Sequence, residues 1–529
     1  MYDVIIVGGG SAGCVLANRL SADPARKVLL LEAGGPEIPL GSRMPAGWVS
    51  LFNTEVDWGY HTVAQPGAMN RRLYWPRGKM LGGSGSMNAM IYIRGLPSDY
   101  DGWRDLGNPG WGWEDVRPVF IRTENNIRLA NDPLHGGAGE LVISDPPYID
   151  ATERAYLAAA QETGLPWNDD FNGRLQEGVG LFQLTLKDGA RFGTARAFLH
   201  PATTRPNLTV TTHALAVRLL IERGRAVGVE YLRLGRLETA HAAGEIVVAS
   251  GSINSPQLLL LSGIGPADEL RAASVTPVHD LPGVGKSLQD HLNVMITFHA
   301  REKIGLGGLS QTDIAAAAVE WVATQTGPMS SNWAAAGGFA RSGTDVAEPD
   351  LQLYGVISGN RDHGRYIAAR PGITLHGTLQ RPLSHGEIRL RSSDPLQHPA
   401  IDPRYLSDPD GKDLATLVAG VRLNRRIAAA ASLAGLLEGE ITPSAGCATE
   451  AEIAAYIRAH CTTLYHPTST CRMGSDAQAV VDSTLRVHGI AGLRVADASV
   501  MPRMVSGNTN APTIMIAERA AEFMLESQG

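Results

Sequence analysis

The glycine-rich run Gly8-Gly9-Gly10-Ser11-Ala12-Gly13 constrains this chain more than any other feature, because of what flanks it. The apolar segment Tyr2–Val7 before it reads as a strand. Ser11–Ser21 after it reads as a helix with Leu16 and Leu20 on one face. A second strand, Lys27–Leu31, follows and ends at Glu32, 19 residues past Gly13. Strand, G-x-G-x-x-G turn, helix and acidic strand end form one unit of the length that dinucleotide sites use. Gly8 permits the tight turn, Gly10 lets the backbone approach a pyrophosphate, and Gly13 lets helix and strand pack closely. The helix N-terminus offers N–H groups and partial positive charge to phosphates. Glu32 can accept hydrogen bonds from an adenosine ribose, which suits NAD or FAD better than NADP.

The 529 residues predict more than one domain. A net charge of −7, with no long run of either sign, argues against nucleic acid as a partner. A strand starting at Tyr2 leaves no room for a signal peptide, and no apolar stretch reaches transmembrane length. Cys14, Cys447, Cys461 and Cys471 form no C-x-x-C pair and read as reduced thiols. The expected location is the cytoplasm, and peripheral contact with the inner face of a membrane stays compatible with it.

Later segments read as missing parts of the first unit. Leu208–Val210, Val217–Ile221 and Ala226–Tyr231 are short β-rich runs, Glu245–Ala249 is a buried parallel strand, and Leu493–Ala496 is another strand entering Asp497. Pro512 opens a helix over Thr513–Leu525. Between these pieces, 373–379 and 388–390 alternate as an antiparallel pair joined around Pro382–Gly386. Asp413–Leu437 and Gln311–Thr324 read as helices, and the glycines of Lys303–Ser310 predict a mobile lid over a substrate cavity. The expectation is an α/β chain: a discontinuous Rossmann-like domain (1–150, 190–300, 460–529) carrying an inserted antiparallel-sheet-plus-helix domain (151–189, 301–459).

Four more motifs follow in order. They are Gly78-Lys79-Met80-Leu81-Gly82-Gly83-Ser84-Gly85-Ser86-Met87-Asn88, the segment Gly251-Ser252-Ile253-Asn254-Ser255-Pro256, His466-Pro467-Thr468-Ser469-Thr470-Cys471-Arg472-Met473-Gly474, and Asn508-Thr509-Asn510-Ala511-Pro512-Thr513. With the N-terminal fingerprint, they make the whole chain resemble the glucose–methanol–choline (GMC) family of FAD oxidoreductases, on the side of its choline dehydrogenase-like and aliphatic alcohol dehydrogenases. The resemblance implies an FAD-binding domain and a substrate domain. It implies FAD contacts at Gly8, Gly10, Ser11, Ala12, Gly13, Glu32 and Ala33, and along the loop from Arg77 through Gly82, Gly83, Asn88 and Ala89. It adds Val217 at the adenosine, Asp497 and Ala498 at the last strand end, and Pro512 and Thr513 where the final helix points at the flavin.

The same resemblance puts catalysis on His466 and Asn510. A neutral imidazole can take the hydroxyl proton of an alcohol while its carbon gives hydride to flavin, and Asn510 can hold the oxygen. His291, within Gln289-Asp290-His291, reads as structural. Three departures stand out. Met87 replaces the histidine that carries covalent flavin in some relatives, so FAD should be noncovalent. Ser469 replaces a usual glycine, so the local turn should differ. Ala335 replaces the acid of choline-type relatives. Trp333, Phe339 and Tyr465 would then line an apolar pocket, suited to an uncharged aliphatic or arylalkyl primary alcohol that leaves as aldehyde. Choline oxidation and a non-redox hydroxynitrile lyase are the alternatives. The electron acceptor, oxygen or a quinone, is not readable.

Overall fold

A computed structural model describes residues 1–36, 38–305, 308–361, 366–367, 371–443 and 446–526. A mostly parallel sheet forms around Tyr2–Val7. That strand pairs in parallel with Val28–Leu31 on one side and with the end of Arg236–Val248 on the other. Leu208–Thr211 and Leu493–Val495 extend the two edges, also in parallel. Val28–Leu31 is buried at every position, as a strand covered on both faces must be, which is why it reads as an unbroken apolar run. The 13-residue strand Arg236–Val248 serves two arrangements. Its first half closes an antiparallel meander with Ala214–Glu222 and Arg225–Arg233, and its second half enters the parallel sheet.

The helix Ser11–Leu20 crosses from Tyr2–Val7 to Val28–Leu31 and packs on the last helix, Asn510–Glu526. The close approach demands glycine. A Cβ on Gly13 would stand 1.8 Å from the Gly8 carbonyl oxygen. Arg19, near the end of the first helix, pairs with Glu518 midway along the last, so the start and finish of the chain form one packed layer.

A second sheet runs in the order Leu437–Thr442, Leu292–Ala300, Gly372–Leu379, Leu351–Val356, Ala336–Ala340 and Gly178–Leu181, all antiparallel. The helix Lys412–Ala429 covers it through Leu417, Val421 and Ile427. The expected fold class stands, with three corrections. Leu292–Ala300, grouped by sequence with the nucleotide domain, belongs to this second sheet. The strand Gly372–Leu379 does not pair with 387–389, because Leu292–Ala300 and Leu351–Val356 already fill both its edges; Glu387–Arg389 pairs with Ala400–Asp402 instead. Of the expected lid, Leu306 and Gly307 lie outside the described residues. The rest does not line the cavity described below, and a Cβ on Gly305 would meet the Ile357 carbonyl oxygen at 2.2 Å.

Gly13→Ala should cost at least about 3 kcal/mol, because the helix cannot retreat from the strand without opening the core between them. Denaturant unfolding checks this. A stability within about 1 kcal/mol of wild type would show that the contact yields easily.

Candidate active site

A cavity of about 480 Å³ lies where the C-terminal ends of the parallel strands meet the face of the antiparallel sheet. Ligands of open α/β sheets sit at this end of the strands. Val7, Leu31, Ala249 and Asp497 bound it on one side, and Asn293, Met295, Tyr354, Val356 and His376 on the other.

The first half is a cradle of bare backbone. Gly8, Gly10, Ser11 and Ala12 line it at the start of the first helix. Gly83 faces Gly10 so closely that a Cβ on Gly83 would lie 2.8 Å from the Gly10 Cα. Gly82 donates its N–H to the Gly9 carbonyl at 2.7 Å. Glu32 and Ala33 lie at the rim. The Glu32 carboxylate accepts from the Gly9 and Gly34 N–H groups at 2.7 and 2.8 Å, while burial pushes its pKa up to about 7. Arg77, Asn88, Ala89, Ala498 and Thr513 continue the walls. Two helix N-termini converge here, linked by the Ser11 hydroxyl donating to Asn510 Oδ1 at 2.7 Å. Close glycine backbone, two positive helix ends and an acid at the second strand's end fit the diphosphate and ribose of a dinucleotide.

The second half holds two histidines. His291 Nε2 lies 3.2 Å from the Gln380 carbonyl, which can only accept, so this nitrogen carries the proton. His291 Nδ1 is then an acceptor for His466 Nδ1–H at 2.9 Å. That leaves the His466 Nε2 lone pair in the cavity, with the Asn508 amide donating to it at 3.3 Å. Burial, His291 and the Arg77 cation push the His466 pKa well below the ordinary histidine value. Burial pushes His291 down to about 3. Both rings are therefore neutral at physiological pH.

The loop that carries His466 is fixed from three sides. The His466 N–H donates to Asp290 Oδ1 at 2.8 Å, and Tyr405 donates its hydroxyl to the same carboxylate. Arg77 donates to the Tyr465 carbonyl at 2.5 Å. Tyr465 and Ser469 both take left-handed backbone, φ 70° and 75°. Ser469 thus adopts a conformation that favours glycine. Such strain persists only where surrounding contacts dictate it.

Several assignments change. His466 has Asn508, not Asn510, as its amide partner; Asn510 turns toward Ser11 and Gly85. Trp333 and Phe339 are core residues rather than cavity walls: Trp333 is buried with Trp321 and Met329, and Phe339 between Phe171 and Phe182. Tyr465 does face the cavity, with Trp48 and Phe52 beside it. Val217 sits at the bulge of its strand, and Ala214, Leu215 and Ala216 form that wall. Gly13, Gly82 and Pro512 lie behind the surface, where Gly13 and Gly82 serve packing and turn. Ala335 points away, its N–H donating to Glu153 at 3.2 Å, so its missing carboxylate says nothing about the cavity. The acids that line the cavity, Glu32, Asp57 and Asp497, all belong outside the antiparallel sheet. Among the described residues no His, Cys, Asp and Glu cluster could hold a metal, and no helix is long and apolar enough to cross a membrane.

Known proteins share this architecture. The GMC oxidoreductase profiles match residues 2–293 and 382–517. The chain is 44% identical to an alcohol dehydrogenase [acceptor] of Pseudomonas putida, covering 99% of this chain and 96% of the relative. It is 42% identical to the mitochondrial choline dehydrogenase of Mus musculus, covering 99% and 89%. The solved pyridoxine 4-oxidase of Mesorbium loti superposes with a TM-score of 0.90 at 33% identity, covering 99% of both chains.

The hydrogen-bond chain fixes a measurable tautomer. Isotope-labelled histidine, assigned with a His466 variant, should report a neutral ring protonated at Nδ1 even at pH 6.5, the ordinary histidine value. A cationic ring, or a proton on Nε2, would contradict the arrangement.

Proposed function

The chain belongs to the GMC oxidoreductase family, and from that premise we propose that it binds FAD without a covalent bond and oxidises an uncharged primary alcohol to its aldehyde. The observation that carries this reading is the unprotonated Nε2 of His466, held neutral beside the Asn508 amide at the junction of the nucleotide cradle and the substrate half. When bound, FAD supplies the acceptor for the hydride that leaves the alcohol carbon.

Gly8, Gly10, Ser11 and Gly83 would hold the diphosphate, and Glu32 the adenosine ribose. Met87 lines the cavity where a linking histidine would be needed, and a thioether forms no such bond. His466 takes the hydroxyl proton at Nε2 as the C–H bond breaks. His291 holds the other ring nitrogen and so keeps Nε2 free. Asn508, already donating at that point, turns its amide to the alcohol oxygen. Asn510 contributes from the start of the last helix, on the cradle side. With no carboxylate on the antiparallel face and with Trp48, Phe52, Met295, Val356 and Tyr465 around it, the substrate half suits an uncharged aliphatic or arylalkyl group. The proposed surroundings remain a discontinuous FAD-binding domain and an inserted substrate domain, in the cytoplasm. The second reading, choline, has the mouse relative behind it, and aromatic rings can also solvate a quaternary ammonium.

His466→Ala should keep bound FAD and lose flavin reduction by about 10²–10⁴-fold. In the wild type the rate should stay level down to pH 6.5 and fall only well below it, where the ring finally takes a proton. A variant reduced as fast as wild type would refute the role of His466.

The substrate reading is tested anaerobically. A linear alcohol, benzyl alcohol, choline and glucose are compared at equal concentration by bleaching of the flavin, after acid precipitation has shown the yellow colour in the supernatant. Fast bleaching by choline alone would select the second reading. Colour retained by the pellet would refute noncovalent binding.

A further inference from the structure

Arg191 is 3% exposed and lies behind the cavity wall in the short strand Ala190–Arg191. Its guanidinium donates to the Ser42 carbonyl at 2.6 Å, the Gly85 carbonyl at 3.2 Å, Asn88 Oδ1 at 2.6 Å and the Asn88 carbonyl at 2.6 Å. All four acceptors are neutral, and among the described residues no carboxylate forms an ion pair with it. Burial alone pushes its pKa down to about 9, which leaves it cationic at neutral pH. Other arginines at this depth are compensated: Arg94 pairs with Glu124, and Arg494 with Glu245. A buried charge without a counter-ion is strongly unfavourable unless something supplies one.

Gly85 and Asn88 line the cavity, so this charge stands one hydrogen bond behind its surface. The two helix N-termini face the same spot. A Cβ on Gly85 would meet Ser11 Oγ at 2.6 Å and Asn510 Oδ1 at 3.3 Å. Three sources of positive potential therefore meet here, and none of the acids that line the cavity, Glu32, Asp57 and Asp497, pairs with Arg191.

We propose that Arg191 is a fixed positive charge just behind the wall of the cofactor cavity, additional to Arg77 and Lys79 in the wall itself: a positioning residue that holds the Asn88 turn, tightens FAD and raises its reduction potential. This rests on the reading of the cavity as an FAD site. Flavin taking up two electrons and one proton gains one negative charge on its ring system. A cation that nothing else neutralises stabilises that form over the oxidised one, and it attracts the diphosphate in both.

The test uses FAD affinity of the apoprotein and the midpoint potential of the reconstituted protein, neither of which is turnover. Arg191→Gln should raise the FAD dissociation constant about tenfold or more and lower the potential. Arg191→Lys preserves the charge on a group that gives up its proton when buried. Its potential should match wild type near about pH 6 and fall progressively below it toward about pH 8, a range in which Arg191 stays mostly charged. A Lys-to-wild-type gap that does not change with pH would assign Arg191 a structural role only and overturn the proposal, even if the Gln variant does not fold. Unchanged affinity and potential in a folded Gln variant would overturn it too. A wild-type apoprotein that takes up no FAD would instead sink the reading of the cavity itself.

Discussion

The contact on which the rest depends is the near-touching of two bare backbones, Gly9–Gly10 and Gly82–Gly83. The Gly82 N–H reaches the Gly9 carbonyl at 2.7 Å, and no side chain can enter between Gly83 and Gly10. That approach docks the loop 77–88 onto the first strand-turn-helix unit. From this loop the remaining parts of the site take their places. Arg77 at its start reaches the Tyr465 carbonyl and sets the turn before His466. Gly85 admits Ser11 and Asn510 side by side, and Asn88 at its end is gripped by Arg191. One interface between glycines thus sets the positions of the nucleotide cradle, the base and the last helix together.

The parallel half of the fold was readable because its signals are local. Glycine spacing, apolar runs and an acid at the end of a strand are dictated by backbone sterics and burial over thirty or so residues. Strand ends moved, as at Ala214–Glu222, where only Val217–Ile221 was expected, and at Arg236–Val248, expected from Glu245. The antiparallel half was less readable. Its strands pair across long separations, and alternation says that a strand exists without naming its neighbour. Gly372–Leu379 was therefore given the wrong partner, because nothing local records that both its edges are occupied.

The site divides along the same line. Glu32 could be named because the strand-turn-helix chemistry around it is local, whereas Ser11 and Asp497 were named from the family resemblance. His466 was named from a motif, but its partners were not: His291 read as structural and Asn508 was passed over for Asn510. Both reach His466 only through strands or turns distant in sequence, and the nitrogen of His291 that carries the proton faces the Gln380 carbonyl, 89 residues away in the chain. Trp333 and Phe339 failed for a related reason. Aromatic residues near a motif look like walls, yet Phe339 sits in a strand that sends alternate side chains to opposite faces, Trp333 sits in the left-handed turn before it, and both went into the core.

The strand Arg236–Val248 and the meeting of the first and last helices have a consequence for how the chain comes into being. Tyr2–Val7 gains its second neighbour only after residue 248 has been made, and the strand beyond it only at 493–495. The first helix waits still longer, for Asn510–Glu526. During synthesis the N-terminal unit therefore carries an apolar strand edge through nearly half of the chain's emergence and a helix face without its last partner almost to the end. Folding of the parallel sheet is a late, long-range event, and that exposed edge is where a newly made chain depends on protection from its neighbours.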